Sequence, residues 1–201
     1  PTREGSLSEL DGLVRDAARG AGLPWGLAEE AGHAVRWLAA RKLPGAALAA
    51  DWLERRAELD PAALAPGGGR GIWFAHGERL CPLLTGAAIA DRSLHEVVVG
   101  PVAAPLLLAP FAALAARDGG GGLELTWEGA LVCLAVDGEG WRAEGPGLDA
   151  EHAAGVSLHP ASAAVQPGRP KPTRPQLSVS VWQRLEKLAA ESRARDHDAE
   201  A

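Results

Sequence analysis

The sequence predicts an α+β fold: a helical N-terminal segment, a mostly antiparallel central sheet with one buried helix, and a C-terminal amphipathic helix. Three observations predict it. Apolar residues recur at helical spacing through the first 59 residues. From residue 71 to residue 159 the pattern changes to short β-branched and alternating runs separated by glycine-containing turns. Five prolines between Pro160 and Pro175 then separate this core from a last helical pattern. The expected organisation is therefore a helical segment over 1–59, an α+β core over 60–159, a proline-rich linker over 160–179, and a helix with a frayed tail over 180–201.

Each element has its own signal. Ser6 with Glu9 three residues on forms a capping box, and Leu7, Leu10, Val14, Ala17, Ala18 and Ala21 follow at helical spacing. Gly22 stops this helix, because glycine accepts a positive φ. Pro24 suits the first turn of a second helix that runs to about Lys42, with Arg41 and Lys42 complementing the dipole at its end. After Pro44-Gly45, a third helix covers Ala46 to Leu59. Asp60-Pro61 and Pro66-Gly67-Gly68-Gly69 read as a loop or hinge. Gly71 to His76 is strand-like, Leu80 to Ala90 reads as a second strand, and His95 to Val99 is a clear β-branched strand. Pro101 to Arg117 is apolar all round, which predicts a buried helix started or kinked by Pro110. Leu123–Trp127, Ala130–Val136 and Trp141–Glu144 read as a meander with turns at Glu128-Gly129 and Asp137-Gly138. Gly155–His159 adds a strand. Ser180 to Ser192 forms the last helix, with Trp182, Leu185, Leu188 and Ala189 on one side.

Composition excludes several classes of function. The formal charge is −6, with 17 Arg and 3 Lys scattered among 26 acids, so no basic face for nucleic acid is expected. The densest basic stretch, Arg169, Lys171 and Arg174, lies in the proline-rich linker. The longest apolar stretch, Val97 to Ala116, is interrupted by Gly100, Pro101, Pro105 and Pro110, so no helix is expected to span a membrane. Pro1-Thr2-Arg3-Glu4 carries no apolar export core, and Cys81 with Cys133 makes no disulfide framework. A cytoplasmic location with both thiols reduced is expected. The 41 alanines let helices approach closely but bury little area each, so the seven tryptophans must supply much of the core.

Two clusters carry the chemistry-bearing residues. Trp73-Phe74-Ala75-His76-Gly77-Glu78-Arg79-Leu80-Cys81-Pro82 brings His, Glu, Arg and Cys together near a strand end. A thiolate needs a base or a positive field at neutral pH, which His76 or Arg79 would supply if residues 73–76 and 80–84 paired as a hairpin. Asp91-Arg92-Ser93-Leu94-His95-Glu96 is the second cluster. Were the chain an enzyme, His76, Cys81, Asp91 and His95 would be its catalytic candidates. Asp91, His95 and Glu96 lack HxH, HExxH or CxxC spacing, so no metal site is expected, and no motif implies a cofactor. His152 and His159 flank a predicted strand without a fixed spacing to read. Gly67 to Gly71 is not a phosphate loop, since the glycines follow a helix and lead into a strand. Trp25 and Trp37 on the early helices and Trp182 on the last are the candidates for binding a ligand or partner, where tryptophan is enriched.

The run Ala17-Ala18-Arg19-Gly20-Ala21-Gly22-Leu23-Pro24-Trp25-Gly26-Leu27-Ala28-Glu29-Glu30-Ala31-Gly32, followed by Arg36-Trp37-Leu38, resembles a bacterial family of about this length, domain of unknown function thirty-seven twenty-six. The resemblance continues through Leu80-Cys81-Pro82 and Gly100-Pro101-Val102-Ala103-Ala104-Pro105-Leu106-Leu107-Leu108. It implies no activity and transfers no functional residue, because the family has no established one. Members tend to carry a longer, less charged C-terminus, from which the tail here departs.

The sequence thus favours a binding or accessory subunit of a metabolic complex, without its own catalytic chemistry. It would meet a protein partner or a second copy and hold at most a small-molecule ligand. The alternative is a hydrolase- or lyase-type enzyme using the His76/Cys81 region.

Overall fold

The computed structural model describes residues 1–56, 59–166, 170 and 174–199. In chain order its elements are β1 (Thr2–Glu4), α1 (Leu7–Gly20), α2 (Trp25–Ala40), α3 (Gly45–Arg56), α4 (Pro61–Leu64), β2 (Pro66–Gly69), β3 (Ile72–Ala75), α5 (Pro82–Asp91), β4 (Val97–Val99), β5 (Val102–Ala103), α6 (Ala109–Gly119), β6 (Leu123–Trp127), β7 (Ala130–Leu134), β8 (Trp141–Glu144), β9 (His152–Ala153), β10 (Val156–Pro160), β11 (Gln176–Ser178) and α7 (Val179–Ala199). The chain divides into two compact units, residues 1–59 with 171–201, and residues 60–170. The class is the α+β class that the sequence predicts.

The helical unit is built on close approach. Ser6 caps α1 as expected, with its hydroxyl accepting from the Glu9 amide and the Glu9 carboxylate accepting from the Ser6 amide. Gly22 takes φ +87° and turns the chain out of α1. A Cβ on Gly20 would sit 1.7 Å from the Leu188 carbonyl oxygen of α7, so only glycine lets α1 and α7 meet there. On α2, Gly32 lies against Asp11 of α1 in the same way, with an added Cβ 2.7 Å from the Asp11 carbonyl oxygen. Leu10, Val14, Ala17, Ala18, Val35, Leu38 and Leu185 fill the core between these helices. Arg184 of α7 reaches α3, donating to Glu54 Oε2 at 2.6 Å and to Asp51 Oδ1 at 2.5 Å. Those hydrogen bonds hold the Glu54 carboxyl below its ordinary range, against the opposing effect of burial.

Several expectations are corrected in this unit. The last helix begins at Val179 and runs to Ala199, past the expected end at Ser192, and it packs on α1 within this unit. Part of the expected linker is strand β11, which pairs antiparallel with β1 at Thr2↔Ser178 and Glu4↔Gln176. A three-residue edge ladder leaves no readable alternation, so the sequence hides it. Helix α3 spans Gly45–Arg56, residues 57 and 58 of its expected range lie outside the described residues, and Leu59 is not helical. Of the basic stretch, Arg169 and Lys171 lie outside the described residues, and Arg174 pairs with Glu4 at 3.2 Å.

The second unit carries a seven-stranded sheet in the order β2-β3-β4-β10-β6-β7-β8, antiparallel except for β3 against β4. The meander β6-β7-β8 forms as predicted, and so does the strand over Gly155–His159, as β10. The buried helix expected over Pro101 to Arg117 forms only from Ala109, as α6: Val102–Ala103 is instead strand β5 paired with β9, Pro105–Leu108 is a 3-10 turn, and Pro110 stands in the first turn of α6. One sheet face is apolar: Trp73, Val97, Val99, Leu158, Leu125, Val132 and Leu134 are all buried. Helix α6 lies against β6 and β7. Helix α5 packs on α6 at Gly86, where the Phe111 ring fills the place of a side chain.

Two readings fail here. Leu80 to Ala90 is not a strand but helix α5, with Pro82 in its first turn. Its short apolar run has no period to separate helix from strand, and proline favours a helix start. Residues 60–69 are not a loop: Asp60 caps the short helix α4, and Pro66–Gly69 pairs antiparallel with Ile72–Ala75. Backbone hydrogen bonds need no side chains, so glycines make an edge strand that residue propensity does not announce.

Candidate functional site

The first predicted cluster does not assemble as a hairpin. Strand β3 pairs with β2 and β4, while Leu80 bridges Val102. His76 lies exposed beyond the end of β3, its ring edge-on to Phe74 at 5.9 Å between centroids and covering Gly67. Cys81 is fully buried just ahead of α5, and its amide donates to the Leu64 carbonyl at 3.0 Å. Asp91 is exposed at the end of α5. The His95 ring rests on Gly119 at the end of α6. Among the described residues no three His, Cys, Asp or Glu side chains gather as a metal-holding group, so Asp91, His95, Glu96 and His76 do not join around one.

The tryptophan candidates separate by burial. Trp25 is 54% exposed with the Arg19 guanidinium 4.8 Å above its ring. Trp37 is half-buried under Arg41, at 3.6 Å. Trp182 is only 1% exposed, and its indole donates to the Arg3 carbonyl at 3.3 Å. Trp182 is therefore a core residue of the helical unit, packed against Gly5 and Arg3.

Sequence reasoning missed a row of titratable side chains on the other face of the sheet. Strand register sets His159 beside Glu124, Glu124 beside Cys133, and Cys133 beside Arg142. The Cys133 thiol donates to Glu124 Oε1 at 3.7 Å and accepts from Arg142 Nη2 at 3.5 Å. His159 Nδ1 stands 3.8 Å from Glu124 Oε2. The Ser162 hydroxyl and amide both donate to Glu124 Oε1, at 2.8 and 3.0 Å. Burial works to raise the Glu124 carboxyl, but the Ser162 bonds, His159 and the thiol outweigh it and hold the group below its ordinary range. Burial pushes the Cys133 thiol up, with Arg142 opposing, so it stays protonated at neutral pH and is a poor nucleophile. The row fastens the chain after β10 to the sheet. Its signal was the equal spacing of nine residues between 124, 133 and 142, which two hairpin registers turn into adjacency.

On that same face, at the other edge, three large apolar side chains stand clear of the chain. Ile72 is 62% exposed, Phe74 48% and Val98 46%, and Ile72 sits directly beside Val98 on the neighbouring strand.

The opposite side of this edge holds a cleft of about 360 Å³ lined by Gly68–Gly71, Trp73, Arg92, Leu94, Glu96 and Val97. The Arg92 guanidinium lies 5.2 Å over the Trp73 ring. In the helical unit a larger cavity, about 580 Å³, lies between the α2–α3 connection and residues 174–177. Its Arg174 is the residue that Glu4 engages.

Fold and surfaces together define an α+β protein with a helical unit and a sheet unit whose apolar edge is open. Residues 5–77 match the model of a family described as protein of unknown function (DUF3726), so the resemblance read at Ala17–Gly32 and Arg36–Leu38 holds over that part of the chain. The matched range runs from the start of α1 through the β2–β3 hairpin. A search of curated proteins finds no match. No helix among the described residues is long and apolar enough to cross a membrane.

Proposed function

We propose that the protein is a cytoplasmic binding or accessory subunit of a bacterial metabolic complex, without catalytic chemistry of its own, and that Ile72, Phe74 and Val98 form the face that receives a protein partner. One observation carries this reading: three large apolar side chains lie exposed on adjacent strands. Single exposed apolar residues are ordinary, but a contiguous group on a sheet marks an interaction surface. The occupant is a different protein rather than a second copy. Two chains of charge −6 repel, and such a charge favours the monomer.

The test is a native pull-down from the source cell with mass spectrometry, repeated with Phe74→Asp. A stoichiometric partner that re-forms the complex from two purified proteins, and that Phe74→Asp releases with the fold intact, supports the reading. Monomer in every mixture with co-encoded proteins, or a homodimer through this face, overturns it.

A further inference from the structure

We propose that the cleft between the Arg70-Gly71 turn and the α5–β4 connection binds a small acidic amino-acid-type ligand, one that carries two carboxylates and one ammonium. Three charged side chains line this space of about 360 Å³: Arg70, Arg92 and Glu96. Within the chain's described residues none of the three makes a hydrogen bond or ion pair, and Arg92 is engaged only by the face of Trp73. Guanidinium groups present paired donors that fit carboxylates, so two of them offer two carboxylate positions. Glu96 opposes a simple anion and accepts from an ammonium. The cleft therefore carries one net positive charge inside a chain of net charge −6, and an acidic amino acid carries one net negative charge.

The apolar trio points to the opposite face of the sheet from Trp73, so this site is separate from the proposed partner face.

The experiment is an NMR titration of the whole chain with L-glutamate, glutarate and inorganic phosphate, following backbone amides 68–71 and the Trp73 indole, the latter assigned with Trp73→Phe. Saturable shifts with L-glutamate at a Kd below about 1 mM are expected, with glutarate at least about ten-fold weaker for want of the ammonium. Arg70→Gln should weaken glutamate about ten-fold or more while the thermal midpoint stays unchanged. Glu96→Gln should erase the preference for glutamate over glutarate. The proposal is overturned if none of the three compounds shifts these signals, if glutarate or phosphate binds as tightly as glutamate, or if Arg70→Gln leaves binding unchanged.

Discussion

Gly20 and Gly69 are the same residue put to opposite uses, and so are Arg184 and Arg70. At Gly20 a side chain would run into the α7 backbone, and α7 carries Arg184, whose guanidinium is engaged by Glu54 and Asp51. At Gly69 a side chain would meet nothing, and the next residue, Arg70, has no partner among the described residues. The first region spends glycine and charge on holding itself together. The second leaves its charge unspent, and an unspent charge lining a concave surface is what a ligand site has before its ligand arrives.

The comparison breaks most sharply at Gly20. Gly20→Val should cost about 3 kcal/mol or more, because α1 and α7 must separate to admit the branches. Urea unfolding measures it, and a loss below about 1 kcal/mol would mean that the two helices slide apart freely. Arg184→Ala should follow at about 1–2 kcal/mol, discounted because all three partners are about one-third exposed. It also has a pH signature. The folded Glu54 carboxyl lies below its unfolded value of 4.5, so its contribution is complete above that pH and is lost as pH falls through the lower folded value. The wild-type unfolding midpoint should therefore drop on acidification through that window more steeply than that of Arg184→Ala. Equal slopes would remove Glu54 from the account. The smallest effects belong to the cleft: Arg70→Gln and Gly69→Val should each change stability by no more than about 0.5 kcal/mol by the same measurement. A larger loss from either would make the cleft a structural feature and merge the two regions.

Legibility in the sequence divided along physical lines. Local rules sufficed where one segment decides its own shape: the Ser6–Glu9 capping box, the turn at Gly22, Pro110 at the start of α6 and the β6-β7-β8 meander all form as read. They failed where a distant partner decides. Leu80–Ala90 is apolar without a period, and its helix is fixed by Pro82 at the start and by packing of Gly86 against Phe111. The glycines at 67–69 have no strand propensity, yet they pair because β3 offers them a backbone. The candidate pair His76 and Cys81 rested on a hairpin that those two facts remove. The row His159–Glu124–Cys133–Arg142 was written in the sequence at fixed spacing, but adjacency across four strands needs the register, and no single segment holds it.

The pairing of β1 with β11 has a consequence for synthesis. The sheet unit is continuous in the chain, from residue 60 to 170, and interrupts the sequence of the helical unit. Helices α1, α2 and α3 are made before it, yet α1 cannot bury its outer face until α7 has emerged. The inserted sheet unit has all its strands available before then. The earlier helices thus complete their packing late, and the apolar face of α1 waits, unburied, through translation of the whole insert.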